Sequence, residues 1–149
     1  MTTFFPAIWN VLHDGVIVTV EGSVPGTLRV DVSIDYLRSR FDEAGEHIQV
    51  NLYDCARFAY QQSPESSFVT DLPTIVSMQP EILSASLVGG LCKIECADGS
   101  LEVAAGSGSI RLDTGRNVEL QELTGVADAY WAEWSERAQK AREARLKPP

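Results

Sequence analysis

The chain has 149 residues, 44% of them hydrophobic and 22% charged, with a formal net charge of −9. That length suits one domain with a buried core, and that composition excludes a disordered chain. No apolar run reaches the roughly 20 residues of a membrane helix, and an acidic body repels phosphate backbones, so neither a membrane nor a nucleic acid is an expected partner.

The opening residues, MTTFFPAIWNVLHDG, hold no basic leader region and no small-residue cleavage site. The cysteine count is odd: Cys55, Cys92 and Cys96. Both features point to a cytoplasmic protein with free thiols. Charge is unevenly spread. Residues 1–123 hold 17 carboxylates against 7 basic side chains, whereas residues 124–149 hold 4 against 5. An acidic body of this kind speeds encounter with a basic partner.

In chain order, a short helix is expected to open at Pro6, with Ile8, Val11 and Leu12 on one face and Trp9 beside them. Asp14-Gly15 ends it in a turn. Val16–Val20 reads as a strand buried on both faces or central in its sheet, and Pro25-Gly26 as a turn. The clearest strand follows. Leu28, Val30, Val32, Ile34 and Tyr36 alternate with Thr27, Arg29, Asp31, Ser33 and Asp35, so one face is apolar and the other meets water. A one-residue slip would bury two aspartates and an arginine, which makes the register strongly specified.

A helical turn is expected around Ser39–Glu43, then a strand from His47 to Tyr53 with Ile48, Val50 and Leu52 inward. Asp54-Cys55 reads as the turn of a hairpin into Arg57–Tyr60, and 61–67 as a polar surface loop. Residues 71–80 suit either a helical turn capped by Asp71 or a short edge strand bracketed by prolines. From Ile82 to Leu123, apolar runs alternate with Gly89-Gly90, Asp98-Gly99, Gly106-Ser107-Gly108 and Thr114-Gly115, the pattern of an up-and-down antiparallel sheet. A final helix is expected to start at Thr124, with Tyr130, Trp131 and Trp134 burying their rings against the sheet. Residues 138–149 form a solvated or frayed tail that Pro148-Pro149 stops.

Constellations that would carry chemistry fall short on spacing. Cys92 and Cys96 share one strand face about 13 Å apart, too far for one ion. His13-Asp14 lacks the further histidines of a metal hydrolase, since His47 is the only other one. Gly106-Ser107-Gly108 precedes a strand rather than a helix, unlike a phosphate cradle. Asp31 and Asp35 lie about 13 Å apart along a strand, wider than paired glycosidase carboxylates. No catalytic residue, metal or cofactor is therefore expected.

The sequence reads as one domain over 1–149, mainly β in an α+β fold. It forms an antiparallel sheet or β-sandwich of about eight to nine strands sealed by a C-terminal helix. It implies a non-catalytic, cytoplasmic protein-binding module with an acidic surface, of the immunity, inhibitor or adaptor kind. The candidate partner-binding residues are Arg29, Asp31, Ser33, Asp35, Gln49, Asn51 and Tyr53, on the polar faces of two neighbouring strands. The expected partner is a basic protein, and an exposed ring in the last helix would favour a homodimer contact. The alternative is a small-ligand-binding barrel or sandwich with a pocket lined by Val18, Val32, Ile34, Val50 and Val103.

Overall fold

Two long strands, each bent once at the same level, build the molecule. A computed structural model describes residues 4–146; Pro148 and Pro149, expected to stop the last helix, lie outside them. The elements are α1 (Phe4–Val11), β1 (Val16–Gly22), β2 (Gly26–Ser33), α2 (Asp35–Arg38), β3 (His47–Cys55), β4 (Arg57–Gln61) and α3 (Leu72–Ser77). Then follow β5 (Ile82–Val88), β6 (Leu91–Cys96), β7 (Gly99–Ala104), β8 (Ser107–Leu112), β9 (Asn117–Val118) and α4 (Leu120–Leu146). They make a five-stranded antiparallel sheet in the order β1-β2-β3-β8-β9 and a four-stranded one in the order β4-β7-β6-β5.

β3 does not form a hairpin with β4, as the turn-like Asp54-Cys55 suggests. Both strands instead keep one common neighbour, the run β7–β8. Ile48 faces Leu112 through to Tyr53 facing Ser107 in the first sheet. Arg57 faces Ala104 through to Gln61 facing Ser100 in the second. At the corner the β3–β4 side carries one extra residue, as in a β-bulge, and Asp54 takes a φ of 52°. The ladder continues through the bend, with Gly106 N–H donating to Tyr53 O (2.9 Å) and Ala56 N–H to Ala104 O (2.8 Å). The up-and-down pattern therefore holds for β5-β6-β7 and again for β8-β9, but at Gly106 between them the chain turns into the other sheet.

The opposite edge is drawn together by backbone bonds. Asp14 N–H donates to Ile82 O (2.7 Å), Ile82 N–H to Gly15 O (2.8 Å) and Ile17 N–H to Pro80 O (2.9 Å). β1 is thus an edge strand of its sheet, not a central one. Its register shifts between Ile17 and Thr19, which puts Ile17 and Val20 inward and leaves Val18 half-buried. The two sheets, α1 and the start of α4 share one core that includes Ile8, Trp9, Leu28, Val50, Phe58 and Leu101.

The chain departs from its strand earlier than the alternation suggests. β2 ends at Ser33, and α2 follows at once, so Asp35 and Tyr36 are helical and the expected turn at Ser39–Glu43 comes early. α3 settles the ambiguous 71–80 segment as a helix, with Asp71 accepting from Thr74 N–H (3.1 Å). α4 begins at Leu120, and Thr124 is no cap: its hydroxyl donates to Leu120 O inside the helix. The helix closes the core through Leu123 and Ala127 rather than through its rings.

One ion pair, between a buried arginine and a half-buried aspartate, ties these pieces together. Arg38, only 2% exposed, donates from Nη2 to Asp113 Oδ1 (2.9 Å), from Nε to His47 O (3.2 Å) and from Nη1 to Glu43 O (2.7 Å). Asp113 Oδ2 accepts from the Glu46 N–H (2.7 Å) and the His47 N–H (3.1 Å). Gly45 leaves room for this pair, since a methyl there would collide with the Arg38 guanidinium and the Asp113 carboxylate. Burial alone would raise the Asp113 carboxyl. The Glu46 N–H, the Arg38 guanidinium and the His47 N–H outweigh it and hold the group below its ordinary 3.8.

Removing the carboxylate leaves a buried guanidinium and two backbone donors without it. Asp113→Ala is expected to cost about 3–5 kcal/mol in urea unfolding, with Gly45→Ala destabilising in the same direction. Because the folded carboxyl is depressed, the advantage of the wild type over Asp113→Asn is complete above pH 3.8 and shrinks as pH falls below it. Unfolding both proteins across an acid series measures that difference.

Candidate partner-binding face

The outer face of the five-stranded sheet carries polar side chains in register. Glu21, Arg29, Asn51 and Ser109 form one cross-strand row. Thr19, Asp31, Gln49, Arg111 and Asn117 form the next. The alternation that sends Val30, Val50 and Ile110 into the core obliges these neighbours to face outward. Five of the seven residues expected to gather do so: Arg29, Asp31, Gln49, Asn51 and Tyr53. Ser33 pairs with His47 at the strand end. Asp35 sits off the face, in the first turn of α2.

The side chains are bound to one another before any partner arrives. Arg29 grips Asp31 with two hydrogen bonds (Nε to Oδ1 3.1 Å, Nη2 to Oδ2 3.2 Å) and reaches Glu21 Oε2 at 3.1 Å. Arg111 Nε donates to Gln49 Oε1 (3.1 Å), and Asn51 Nδ2 to Ser109 Oγ (3.4 Å). The Tyr53 hydroxyl lies 2.9 Å from Ser109 Oγ, with Tyr53 itself 38% exposed. It borders an open groove of about 480 Å³ lined by Gly108, Ile110, Asn117, Val118 and Leu120.

Asp31 does not extend an exposed acidic row. It is 5% exposed and neutralised by Arg29. The Asp31 hydrogen bond in turn holds the Arg29 guanidinium above its ordinary pKa. With Arg29 and Arg111 against Glu21 and Asp31, the two rows are electrically balanced. Carboxylates without an ion pair among the described residues, such as Asp35, Asp42 and Asp54, lie off these rows. Ser109, Arg111 and Glu21 escape the sequence reading. The alternation in Ser109-Ile110-Arg111-Leu112 marks two of them as outward, but the pairing of β8 with β3 joins residues about sixty apart.

The other candidate groups are occupied in packing. His13 stacks on Trp131 (centroids 5.3 Å, 19° apart), and its Nδ1 lies 2.8 Å from Asn10 O. Tyr36, Tyr130, Trp131 and Trp134 complete this cluster where α1, α2 and α4 meet, and Tyr36 donates to His13 O (2.8 Å). Desolvation, aided by Asp14 and Tyr130, pushes the Tyr36 phenol up to about 12. These rings are half-buried at best, and Trp134 is 51% exposed; the tryptophan fully inside the protein is Trp9. Val32, Ile34, Val50 and Val103 pack into the shared core, and Val18 lies on the β1 bulge.

Among the described residues, no group of three or more His, Cys, Asp or Glu is arranged to hold a metal ion, and no helix is long and apolar enough to cross a membrane. No protein-family model and no curated protein matches the chain. Among solved structures, the chain is similar to an uncharacterized protein from Neisseria gonorrhoeae. The identity is 11% and the TM-score 0.35, over 66% of this chain and 90% of that one.

Burial keeps all three cysteines protonated. It pushes Cys92 up to about 11 and Cys96 up to about 12, and raises Cys55 despite a backbone hydrogen bond. The thiolate is the reactive form. A disulfide reagent at neutral pH is therefore expected to label none of the three in the native protein and all three in denaturant; rapid native labelling would place a thiol in solvent.

Proposed function

We propose that this is a non-catalytic protein-binding module, of the immunity, inhibitor or adaptor kind, that receives a protein on the outer face of its five-stranded sheet. One observation carries the reading. That face meets solvent with its polar side chains already locked in position beside an exposed tyrosine and a groove. Side chains ordered before association lose little entropy when a partner arrives, so their hydrogen bonds contribute more to affinity. Tyrosine at the rim of a groove has the amphipathic character of interface anchors.

The net charge selects the partner. The balanced rows give the contact its geometry, while the −9 of the whole chain draws a basic protein in and raises the association rate. The groups that would do chemistry are committed elsewhere: His13 to Trp131, Asp31 to Arg29, and the thiols to the core. A cytoplasmic setting fits those reduced thiols.

Wild-type and Tyr53→Ala baits, applied side by side to a lysate of the source organism, test the proposal. The wild type is expected to retain a basic protein, and truncating the anchor to weaken that complex by about 2 kcal/mol, or about thirtyfold. Higher salt should slow association more than it speeds dissociation. A captured set that ignores the substitution would contradict this assignment of the face.

A further inference from the structure

β8 is fully accompanied on one flank only. β3 pairs with it from Leu112 to Ser107, but on the other flank β9 faces Arg111 and Ile110 and then stops. The chain leaves there because Leu120 opens α4, whose Leu123 is drawn into the core. On the same flank of the bent ribbon, β6 reaches only to Val103, which faces Cys92. Between Val103 and Ile110, therefore, no strand among the described residues lies on that side.

Backbone groups along an antiparallel strand turn to alternate flanks. Leu112 N–H donates to Arg116 O (2.8 Å) on the β9 side, so Ile110 and Gly108 turn the same way. Ile110 meets Val118 there, whereas Gly108 has no backbone partner among the described residues. Gly108 instead lines the groove beside Tyr53, together with Val118, Glu119 and Leu120. An unpaired strand edge is a template for another strand. The outer strands β1, β4 and β5 are each held by another piece of this chain. Pro80 O accepts from the Ile17 N–H of β1, and Val69 exchanges two hydrogen bonds with Tyr60 of β4. The Asn10 side chain grips both backbone groups of Ala85 in β5 (3.0 and 2.8 Å). Gly108 has no such cover.

We propose that an extended segment of a protein partner adds to the sheet here, in line with β9, and pairs its backbone with the N–H and C=O of Gly108. The inference rests on the partner-binding reading of the outer face and gives it a second contact, because Tyr53 borders both that face and the groove. A glycine at this position lets another backbone approach closely. Glu119 lines the groove without an ion pair among the described residues, so it selects a segment that carries Lys or Arg. Main-chain pairing supplies affinity, and the basic side chain supplies the choice of segment.

Phage-displayed random peptides selected on the immobilised full chain, followed by amide exchange in NMR, test this. Without peptide, the Gly108 N–H is expected to exchange much faster than those of Ser107 and Ser109, which turn toward β3. Selected peptides are expected to carry a basic residue and to slow Gly108 exchange by about tenfold or more at saturation. N-methylation of the peptide residue that pairs with Gly108 should weaken binding by about tenfold, and N-methylation of its neighbours should not. The side-chain amides of Gln49 and Asn51 report the outer face separately. Peptides that shift those amides and leave Gly108 exchanging freely would overturn the strand addition while the outer-face reading stands. Protection of Gly108 with Gln49 and Asn51 unmoved would uphold the strand addition and count against the outer face. Slow Gly108 exchange without peptide, protection that grows with protein concentration alone as a second copy fills the slot, or a selection that yields no binder would each overturn the proposal.

Discussion

The shared ladder of β3–β4 with β7–β8 is the constraint on which the architecture depends. Two strands that bend together keep their hydrogen bonds to one another, so the chain crosses from one sheet to the other without losing a ladder. A single strand bending alone would leave donors and acceptors stranded in the core, at a cost of about 1–3 kcal/mol for each buried group. The bend also places Tyr53 and Ser107 at the end of the first sheet, beside the groove. The polar outer face and the corner are therefore one piece of backbone.

Charge serves different ends in different parts of the molecule. Arg38 is sequestered and Asp113 half-buried beside it, and their hydrogen bonds join α2, the 39–46 loop, the start of β3 and the end of β8. Arg29 and Asp31 form a similar bidentate pair on the outer face, where it fixes side chains that solvent would otherwise leave mobile. The excess negative charge lies outside both pairs and acts at long range. On α4, Glu122 pairs with Arg116 and Glu133 with Arg40 of α2, which ties the helix to the body, while Glu136 pairs with Lys140 along the helix itself.

The strands whose side chains alternate between core and water were legible from the residues. Leu28, Val30 and Val32, and then Ile48, Val50 and Leu52, all point inward as their period of two requires. The same period sends Arg29, Asp31, Gln49, Asn51 and Tyr53 to the opposite face. Pairing between distant segments was not legible. Asp54-Cys55 has the composition of a hairpin turn, and nothing local distinguishes a turn from a bulged corner whose partner lies some fifty residues on. Ile34 and Tyr36 continue the strand pattern in letters, but the Arg38 anchor pulls the chain into a helix. The tryptophans misled for a related reason. Helical spacing shows that Trp131 and Trp134 share a face, not that the body covers it.

Cross-strand NOEs test the bent ribbon most directly. The account predicts contacts of Leu52 with Gly108 and Val50 with Ile110 on one side of the corner, and of Phe58 with Val103 and Tyr60 with Leu101 on the other. The register between the two sets differs by one residue. Contacts between β3 and β4 across Asp54-Cys55, in the pattern of an antiparallel hairpin, would contradict it.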